Sequence, residues 1–296
     1  MENSTEIVRL FIMATGFMML FTLLLSLILA QVHKLFFVAE DNRITSIEEL
    51  LPHTNCGACG YPGCFAFAEA LVKGQTVPSK CSVSPLTQLE KIASFLNVAV
   101  GNTEKLIARL ACAGADHVAR NRVYYDGMET CQAAAQVSGG AKACTWGCLG
   151  FGDCKTVCNF NAIKMSEHHL PVVNEQLCTA CGDCVKICPK DLFSLQAISH
   201  RLWIACRNEE AGDQLLQYCE VACTACARCA MDAADELIVM HNNLPTINYQ
   251  KPHNTQIPMQ RCPTGAIVWL NEDNRILTGT ASKKTIRHQP LPATPS

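Results

Sequence analysis

The spacing of cysteines is the most informative chemical feature of this 296-residue chain. Four of its twenty cysteines form the run Cys178-x2-Cys181-x2-Cys184-x3-Cys188-Pro189. Bacterial ferredoxins use this spacing, with three thiolates on one [4Fe–4S] cluster and the fourth on a neighbouring cluster. The run therefore predicts one-electron transfer between iron–sulfur clusters.

A related run lies about 30 residues earlier, which indicates an internal repeat. It has the form Cys144-x3-Cys148-x5-Cys154-x3-Cys158. The fourth cysteine of each run is expected to cross to the other cluster. One cluster is therefore predicted to bind Cys144, Cys148, Cys154 and Cys188. The other is predicted to bind Cys178, Cys181, Cys184 and Cys158. The earlier run departs from the tight spacing, and Asn159 replaces the usual proline.

A third set of cysteines lies nearer the N-terminus, in a glycine-rich segment. Its members are Cys56, Cys59, Cys64 and Cys81. Glycines at 57, 60 and 63 allow the backbone to bend tightly and to direct N–H groups at cluster sulfurs. Four thiolates satisfy a [4Fe–4S] cluster. A structural zinc site with the same ligands is the alternative, although Cys-x2-Cys-x4-Cys-x16-Cys is not a usual zinc spacing.

The C-terminal part contains a repeat that has lost half of its ligands. Cys223-x2-Cys226-x2-Cys229 begins a tight run, but Ala233 stands at its fourth position. Cys262-Pro263 is the end of another run, whose first three positions are Pro252, Thr255 and Pro258. By the crossover rule all four ligands of one cluster survive, and all four of the other are gone. One cluster is therefore predicted, bound by Cys223, Cys226, Cys229 and Cys262.

Four cysteines match no cluster spacing: Cys112, Cys131, Cys206 and Cys219. Free cysteine is commonly buried as a small apolar side chain, and this is the expectation for these four. The alternative is a fifth metal site made from some of them, and Cys219, four residues before Cys223, is the strongest candidate.

An uncharged apolar segment, Leu10 to Val32, must position these sites relative to a lipid bilayer. As a helix it would be about 34 Å long, enough to cross a hydrocarbon core of about 30 Å. The segment is too long for a signal-peptide core, and the residues before it are not basic. We expect an uncleaved single-pass anchor in the cell (inner) membrane. Cluster assembly needs reducing conditions, which places the cluster domains on the cytoplasmic side.

The predicted fold class is α+β, with a single transmembrane helix, a small 4Fe-4S domain and tandem bacterial-ferredoxin-like domains, the last one degenerate. The expected boundaries, in order, are an anchor at 1–34, a first 4Fe-4S domain at 35–95, a helical connector at 96–140, a two-cluster ferredoxin domain at 141–200, a one-cluster domain at 201–270 and a disordered tail at 271–296.

Other functional classes find little support in the sequence. The net charge of −2 does not suggest nucleic acid as a partner. Basic residues of the connector, Lys105, Arg109, Arg120 and Arg122, are expected on a solvated helix face, with docking of an acidic carrier as the alternative. No P-loop and no nucleophile–base arrangement is recognisable. No substrate is therefore expected to be transformed on this chain alone.

The sequence resembles the B subunit of the Rnf complex, in the long form with extra C-terminal ferredoxin repeats. The resemblance rests on the anchor, on Cys56-Gly-Ala-Cys-Gly-Tyr-Pro-Gly-Cys64, on Tyr125-Asp-Gly-Met-Glu-Thr-Cys131, on Ala143-Cys-Thr-Trp-Gly-Cys-Leu-Gly150 and on Cys178-Thr-Ala-Cys-Gly182. It departs from the long form at Ala233 and at 252–258.

This resemblance implies an electron-transfer subunit of a membrane-bound ferredoxin:NAD⁺ oxidoreductase that couples electron flow to Na⁺ or H⁺ translocation. Four [4Fe–4S] clusters would relay electrons between soluble ferredoxin and the other subunits of the complex, which lie in the membrane. Two alternatives remain open. The chain could be a membrane-tethered polyferredoxin serving another oxidoreductase, such as a hydrogenase, or a non-redox protein with structural zinc.

Overall fold

The computed structural model describes residues 2–36, 41–102, 104–271, 275–283 and 287–293. These residues form eight α-helices: α1 (Glu2–Phe36), α2 (Asn42–Leu50), α3 (Cys64–Val72), α4 (Leu86–Leu96), α5 (Cys131–Gln136), α6 (Asp153–Thr156), α7 (Asp183–Ile187) and α8 (Arg228–Asp232). They also form nine strands: β1 (Leu106–Leu110), β2 (Ile163–Met165), β3 (Pro171–Val173), β4 (Phe193–Ala197), β5 (Leu202–Ile204), β6 (Ile238–His241), β7 (Leu244–Ile247), β8 (Ile267–Leu270) and β9 (Ile276–Thr278).

Helix α1 contains the apolar segment, and its residues 9–35 are exposed. Its span Arg9–Leu35 is long and apolar enough to cross a bilayer, and none of its most apolar window is buried. A helix that is apolar on all sides but has no protein around it requires an apolar environment. This N-terminal helix therefore fits a membrane anchor.

A small helical domain follows the anchor. Helices α2, α3 and α4 surround a core in which Ile47, Phe67 and Ile92 are almost completely buried. A 3₁₀ turn, Pro78–Lys80, brings the chain back so that Cys81 joins this core. The domain is therefore organised around the segment that holds the first cysteine set.

The first ferredoxin module begins earlier than expected, inside the predicted helical connector. Strand β1 pairs antiparallel with β4, in the register Ile107↔Gln196, and the hairpin β2–β3 completes the module. Between 96 and 140 the structure has β1 and the short helix α5 instead of a long helix. The expectation of a solvated basic helix face is therefore wrong for Arg109, which lies on β1 and is 7 % exposed.

The second module repeats this arrangement. Strand β5 pairs antiparallel with β8, as β1 does with β4, and the hairpin β6–β7 corresponds to β2–β3. A third strand, β9, pairs with β8 in the register Leu270↔Ile276. Strand β9 belongs to the tail that the sequence predicted as disordered, so that expectation is wrong for residues 276–278. Further along the tail, Arg287 also forms an ion pair of 3.1 Å with Glu220.

Each module carries a long insertion after its first strand, and the two insertions meet. In the first module it covers residues 111–143, and in the second it covers 205–222. The Arg120 N–H donates to Tyr218 O at 2.8 Å, and the Glu220 N–H donates to Val118 O at 2.8 Å. These paired backbones join the two modules at a shared loop layer.

A buried ion-pair network also connects the two modules, outside the paired insertions. Glu175 follows β3 and is 6 % exposed. Its carboxylate lies 2.7 Å from Arg109 on β1 and 3.5 Å from Arg201, which directly precedes β5. A buried carboxylate requires such partners because its desolvation is otherwise too costly.

Candidate iron–sulfur sites

The first site is the glycine-rich segment after the anchor. Cys59, Cys64 and Cys81 pack on the core of the helical domain, and Cys64 is the first residue of α3. Gly57 and Gly60 adopt φ of +70° and +87°, a conformation that glycine adopts without strain and that turns the backbone around the thiols. Burial raises the pKa of Cys59, and the nearby Cys81 and Cys56 thiols add to this effect.

The second site contains the four side chains that the crossover rule groups together: Cys158, Cys178, Cys181 and Cys184. Backbone amides already point at two of these sulfurs. The Ala108 N–H donates to Cys178 Sγ at 3.4 Å, and the Ala162 N–H donates to Cys158 Sγ at 3.3 Å. Burial, followed by the neighbouring thiols with Cys178 first, raises the pKa of Cys184 to about 12.

The third site differs from the predicted one. The cavity around it encloses about 380 Å³ outside the protein atoms. The cysteines that line it are Cys131, Cys148, Cys154 and Cys188. Cys144, the predicted fourth ligand, does not line this cavity, and Cys131, expected to be a buried free thiol, does. The structure therefore places Cys131, and not Cys144, beside the other three thiols, and the ligand set stays a prediction.

The spacing of the run, with Phe151 at a thiol position, agrees with this grouping. Counting back from Cys158 by the tight spacing gives Cys154, then position 151, then Cys148, so Phe151 occupies the place of the missing thiol. Its ring packs edge-on against Tyr125, with 5.6 Å between the ring centres. The Cys131 side chain lines the cavity, whereas Phe151 does not.

Helix α5 positions Cys131 at its first turn. Thr130 caps the helix by accepting a hydrogen bond from the Ala133 N–H at 3.2 Å. The Asp153 carboxylate accepts from the Cys131 and Gln132 N–H groups at 2.9 and 3.0 Å. Burial raises the pKa of Cys154 to about 12, and the Cys131 thiol is the next cause, which is consistent with their closeness.

The fourth site lies in the second module. Its cavity encloses about 360 Å³ outside the protein atoms and is lined by Cys223, Cys226, Cys229 and Cys262. Burial raises the pKa of Cys223 to about 12 and that of Cys229 to about 11. The isolated Cys262 thus lies beside the other three, as the crossover rule predicts.

The other half of this module is packed with apolar side chains. Pro258 is almost completely buried, and Ala233 packs against the same core as Cys223 and Cys262. Two of the four positions that would have bound a second cluster therefore contribute to packing.

The separation of the sulfurs indicates the type of metal group. In the described residues, no three cysteine Sγ atoms lie within 4.8 Å of one another, since the one cluster of potential ligands at that separation is Glu167, His168 and His288. A tetrahedral zinc with Zn–S bonds near 2.3 Å would hold its sulfurs about 3.8 Å apart. A cubane places its thiolates further apart because each binds a different iron atom. The described thiol sets are therefore spaced too widely for a single zinc ion, which is consistent with [4Fe–4S] clusters.

Cys144 belongs to a separate group of thiols. With Cys112, Cys206 and Cys219 it lines a cavity between the two modules. These three partners are the remaining cysteines that matched no spacing, so every cysteine of the chain belongs to a group of four.

A hydrogen bond joins the segments that hold the first and second sites. The Ser82 hydroxyl, next to Cys81, donates to Thr179 O, next to Cys178, at 2.5 Å. The helical domain therefore docks on the first ferredoxin module through the residues that adjoin their thiols.

Comparison with known proteins agrees with this arrangement. Residues 51–83 match the Fe-S cluster family, and residues 170–195 match the 4Fe-4S binding domain family. The chain is 34 % identical over 252 residues to the B subunit of the Na⁺-translocating ferredoxin:NAD⁺ oxidoreductase complex of Acetobacterium woodii, across 85 % of this chain and 76 % of that protein. The chain belongs to the family of Rnf complex B subunits.

Two further B subunits are similar over most of their length. That of the ion-translocating oxidoreductase complex of Methanosarcina acetivorans is 32 % identical, across 79 % of this chain and 89 % of that protein. That of the proton-translocating ferredoxin:NAD⁺ oxidoreductase complex of Clostridium ljungdahlii is 32 % identical, across 86 % of this chain and 91 % of that protein. The similarity therefore extends well beyond the two matched Fe–S segments.

Proposed function

We propose that this Rnf-type protein carries electrons through [4Fe–4S] clusters in a membrane-bound ferredoxin:NAD⁺ oxidoreductase that couples electron flow to Na⁺ or H⁺ translocation. The observation that carries the proposal is the succession of thiol groups, from the second module through the first module to the domain next to the anchor. Relatives named as the B subunits of such complexes support it.

Four groups of thiols would hold four clusters, and each cluster when bound exchanges one electron. The groups are Cys56/Cys59/Cys64/Cys81, Cys158/Cys178/Cys181/Cys184, Cys131/Cys148/Cys154/Cys188 and Cys223/Cys226/Cys229/Cys262. The protein residues hold the clusters, exclude water by burial and donate N–H groups to sulfur, which together set the reduction potentials. No residue of this chain transforms a substrate in this scheme.

The exposure of one thiol supports an entry point for electrons from soluble ferredoxin. Cys226 in the second module is the exposed cysteine of the chain, whereas the other nineteen are buried or half-buried. A small soluble carrier needs a cluster near the surface for transfer. We therefore assign the docking of soluble ferredoxin to the second module and the exit to the membrane subunits to the Cys56–Cys81 site.

The anchor supports attachment of this relay to the lipid bilayer, and the need of clusters for reducing conditions supports the cytoplasmic side for the cluster domains. Five residues, 37–41, separate α1 from α2, so the first site follows the membrane span closely in the chain. The membrane-embedded subunits would therefore receive electrons beside the bilayer.

Electron-transfer kinetics in the assembled complex test this proposal. In a Cys59→Ala variant, soluble ferredoxin should still reduce the clusters of the modules, but reduction of the membrane subunits should fall at least tenfold. Ser46→Ala, on the exposed side of α2, is the matched control and should leave both rates unchanged. Wild-type rates in Cys59→Ala would contradict the route, and failure to co-purify with other complex subunits would favour a carrier for another oxidoreductase.

A further inference from the structure

A cavity lined by four cysteines outside the proposed relay sites lies where the two modules meet. It encloses about 360 Å³ outside the protein atoms, the same volume as the cavity of the Cys223 site. The thiols that line it are Cys112, Cys144, Cys206 and Cys219. Each module supplies two of them, although Cys112 and Cys219 are more than a hundred residues apart in the chain.

The four thiols are related by the same internal repeat that relates the modules. Cys112 follows the end of β1 by two residues, and Cys206 follows the end of β5 by two residues. Cys144 precedes Cys148 by four residues, and Cys219 precedes Cys223 by four residues. Each module therefore contributes one thiol after its first strand and one before its first cluster ligand.

Hydrogen bonds to sulfur follow the same symmetry. The Gly114 N–H donates to Cys112 Sγ at 3.4 Å, and the Asn208 N–H donates to Cys206 Sγ at 3.5 Å. Amides of this kind stabilise thiolate sulfur and are typical of cluster ligands. Independent burial of free thiols as apolar side chains would not place matching N–H donors at corresponding positions in two repeats.

A second pair of hydrogen bonds joins this cavity to the sites on either side. The Cys148 N–H, from a ligand of the third site, donates to Cys112 Sγ at 3.5 Å. The Cys223 N–H, from a ligand of the fourth site, donates to Cys206 Sγ at 3.4 Å. The backbone N–H groups of Cys148 and Cys223 therefore link the thiols of this cavity directly to both neighbouring sites.

Neither a disulfide nor a single metal ion fits the geometry of the four thiols. All twenty cysteines are free in the structure, whereas a disulfide would bring two sulfurs to about 2.05 Å. Among the described residues, no three cysteine sulfurs come within 4.8 Å of each other, so a single tetrahedral metal does not fit.

Lys142 places a buried ammonium group beside the cavity, where it also lies 3.6 Å from the Asp116 carboxylate. It lines the cavity, is 5 % exposed, and its Nζ donates to Gly114 O at 2.6 Å. Four thiolates carry more negative charge than the iron–sulfur core offsets, so a buried cation beside them is favourable.

We propose that Cys112, Cys144, Cys206 and Cys219 bind a fifth [4Fe–4S] cluster, which connects the one-cluster second module to the first module. The proposal rests on the relay function described above. In each transfer one electron leaves a reduced neighbouring cluster, which is oxidised as the fifth cluster is reduced, and the next transfer reverses these roles. No bond to carbon, oxygen or nitrogen forms or breaks, and no further reactant is needed.

The test is the iron and acid-labile sulfide content of the full-length chain, purified without oxygen and reconstituted with iron and sulfide. The wild type should bind about 20 of each, since each cubane holds four iron and four sulfide. Cys219→Ala should bind about 16. Cys226→Ala, in the fourth site, is the positive control and should also bind about 16. Thr145→Ala, next to Cys144, should remain at about 20.

Double variants show whether the thiols share one cluster. Cys206→Ala with Cys219→Ala should lose no more iron than either single variant, because both remove the same cluster. Cys219→Ala with Cys226→Ala should fall to about 12, because two clusters are lost. Mössbauer spectroscopy should show cubane iron only in every sample.

Three results would overturn the proposal. A wild type with about 16 iron atoms that Cys219→Ala does not change would remove the fifth site and leave the relay function standing. A colourless wild type with no sulfide would remove both. Zinc or mononuclear iron bound at these thiols would also refute a cluster there. The wild-type stoichiometry and the Mössbauer spectrum decide even if a variant fails to fold.

Discussion

The Asp153 side chain holds Cys131 in place beside Cys154, a proximity that the cysteine spacing alone does not predict. Its two carboxylate oxygens accept the first N–H groups of α5, which have no partner within the helix. A carboxylate at a helix N-terminus is also favoured by the helix dipole. Because Asp153 adjoins Cys154, this contact places Cys131 beside a ligand of the same site.

Replacement of Cys131 distinguishes the structural grouping from the one predicted by spacing. Cys131→Ala should remove one cluster, which lowers the iron content by about four per chain. If Cys144 were the fourth ligand of this site, the same change would cost no iron. Iron analysis of the full-length chain, with electron paramagnetic resonance of the reduced protein, measures the difference.

A second substitution provides the control for this result. Phe151 stands at the position where the tight spacing requires a thiol, so Phe151→Cys in the Cys131→Ala background should restore the lost iron at least in part. An unchanged iron content in the Cys131→Ala variant itself would show that Cys131 is not a ligand.

The sequence was sufficient to predict most thiol groups but not all of them. Two groups of four follow from tight runs and the crossover rule, and the Cys56–Cys81 set follows from its own compact spacing. The spacing misses Cys131 as a member of the third group because its place beside Cys154 depends on a tertiary contact with Asp153. One signal was available, however: counting back from Cys158 reaches Cys148 through Phe151 and leaves Cys144 outside the run.

At the scale of elements, strand β1 determines where the first module begins. Four of the five residues of segment 106–110 favour a helix, namely Leu106, Ala108, Arg109 and Leu110, and so its sequence does not favour a strand. It becomes one because β4, more than eighty residues later, presents an unpaired edge to it. Such a long-range pairing overrides local propensity and cannot be read from the segment alone.

The tail shows the same effect. Residues 276–278 pair with β8, although the tail from residue 271 is polar and ends in a proline-rich stretch. Composition describes the average preference of a segment, whereas one unpaired strand edge is enough to order three residues.

Neutralising Glu175 should destabilise both modules. Glu175→Gln keeps the shape of the side chain but leaves Arg109 buried without a countercharge, and two nitrogens of that guanidinium already lack hydrogen-bond partners. Loss of one partner of a buried ion pair costs about 3–5 kcal/mol. Urea unfolding under anaerobic conditions, followed by circular dichroism and by cluster absorbance, should show a lower midpoint.

Glu167→Gln is the matched control for this substitution. The Glu167 side chain is 77 % exposed and lies 3.3 Å from His168, so its removal should change the stability by less than about 1 kcal/mol. Equal midpoints for the two variants would show that Glu175 does not support the interface of the modules.

On the scale of the whole molecule, the anchor and the cluster domains are independent. No residue in the most apolar window of α1 is buried, so the helix adds nothing to the cores that hold the thiols. The anchor was predictable in full because its signal is local, a continuous uncharged apolar segment. The contact between the modules was not, because it depends on two insertions that meet only in the folded chain.

Removal of residues 1–35 should therefore abolish membrane association without changing the number of clusters bound. The shortened chain should appear in the soluble fraction after cell lysis, whereas the full-length chain should need detergent. Both should bind the same iron per chain. Loss of iron on truncation would show that the helix supports the fold, and retention in the membrane fraction would show a second attachment.

The four thiols that line the cavity between the modules are made at different times during synthesis of the chain. Cys112 and Cys144 leave the ribosome before Cys206 and Cys219 have been made, whereas the Cys56–Cys81 set emerges as one short stretch. Ribosomes add about 5–20 residues per second, so the early pair waits several seconds as bare thiols. The site at the junction can therefore be completed only after residue 219 has been made, and its early thiols stay without their partners for longer than those of the Cys56–Cys81 set.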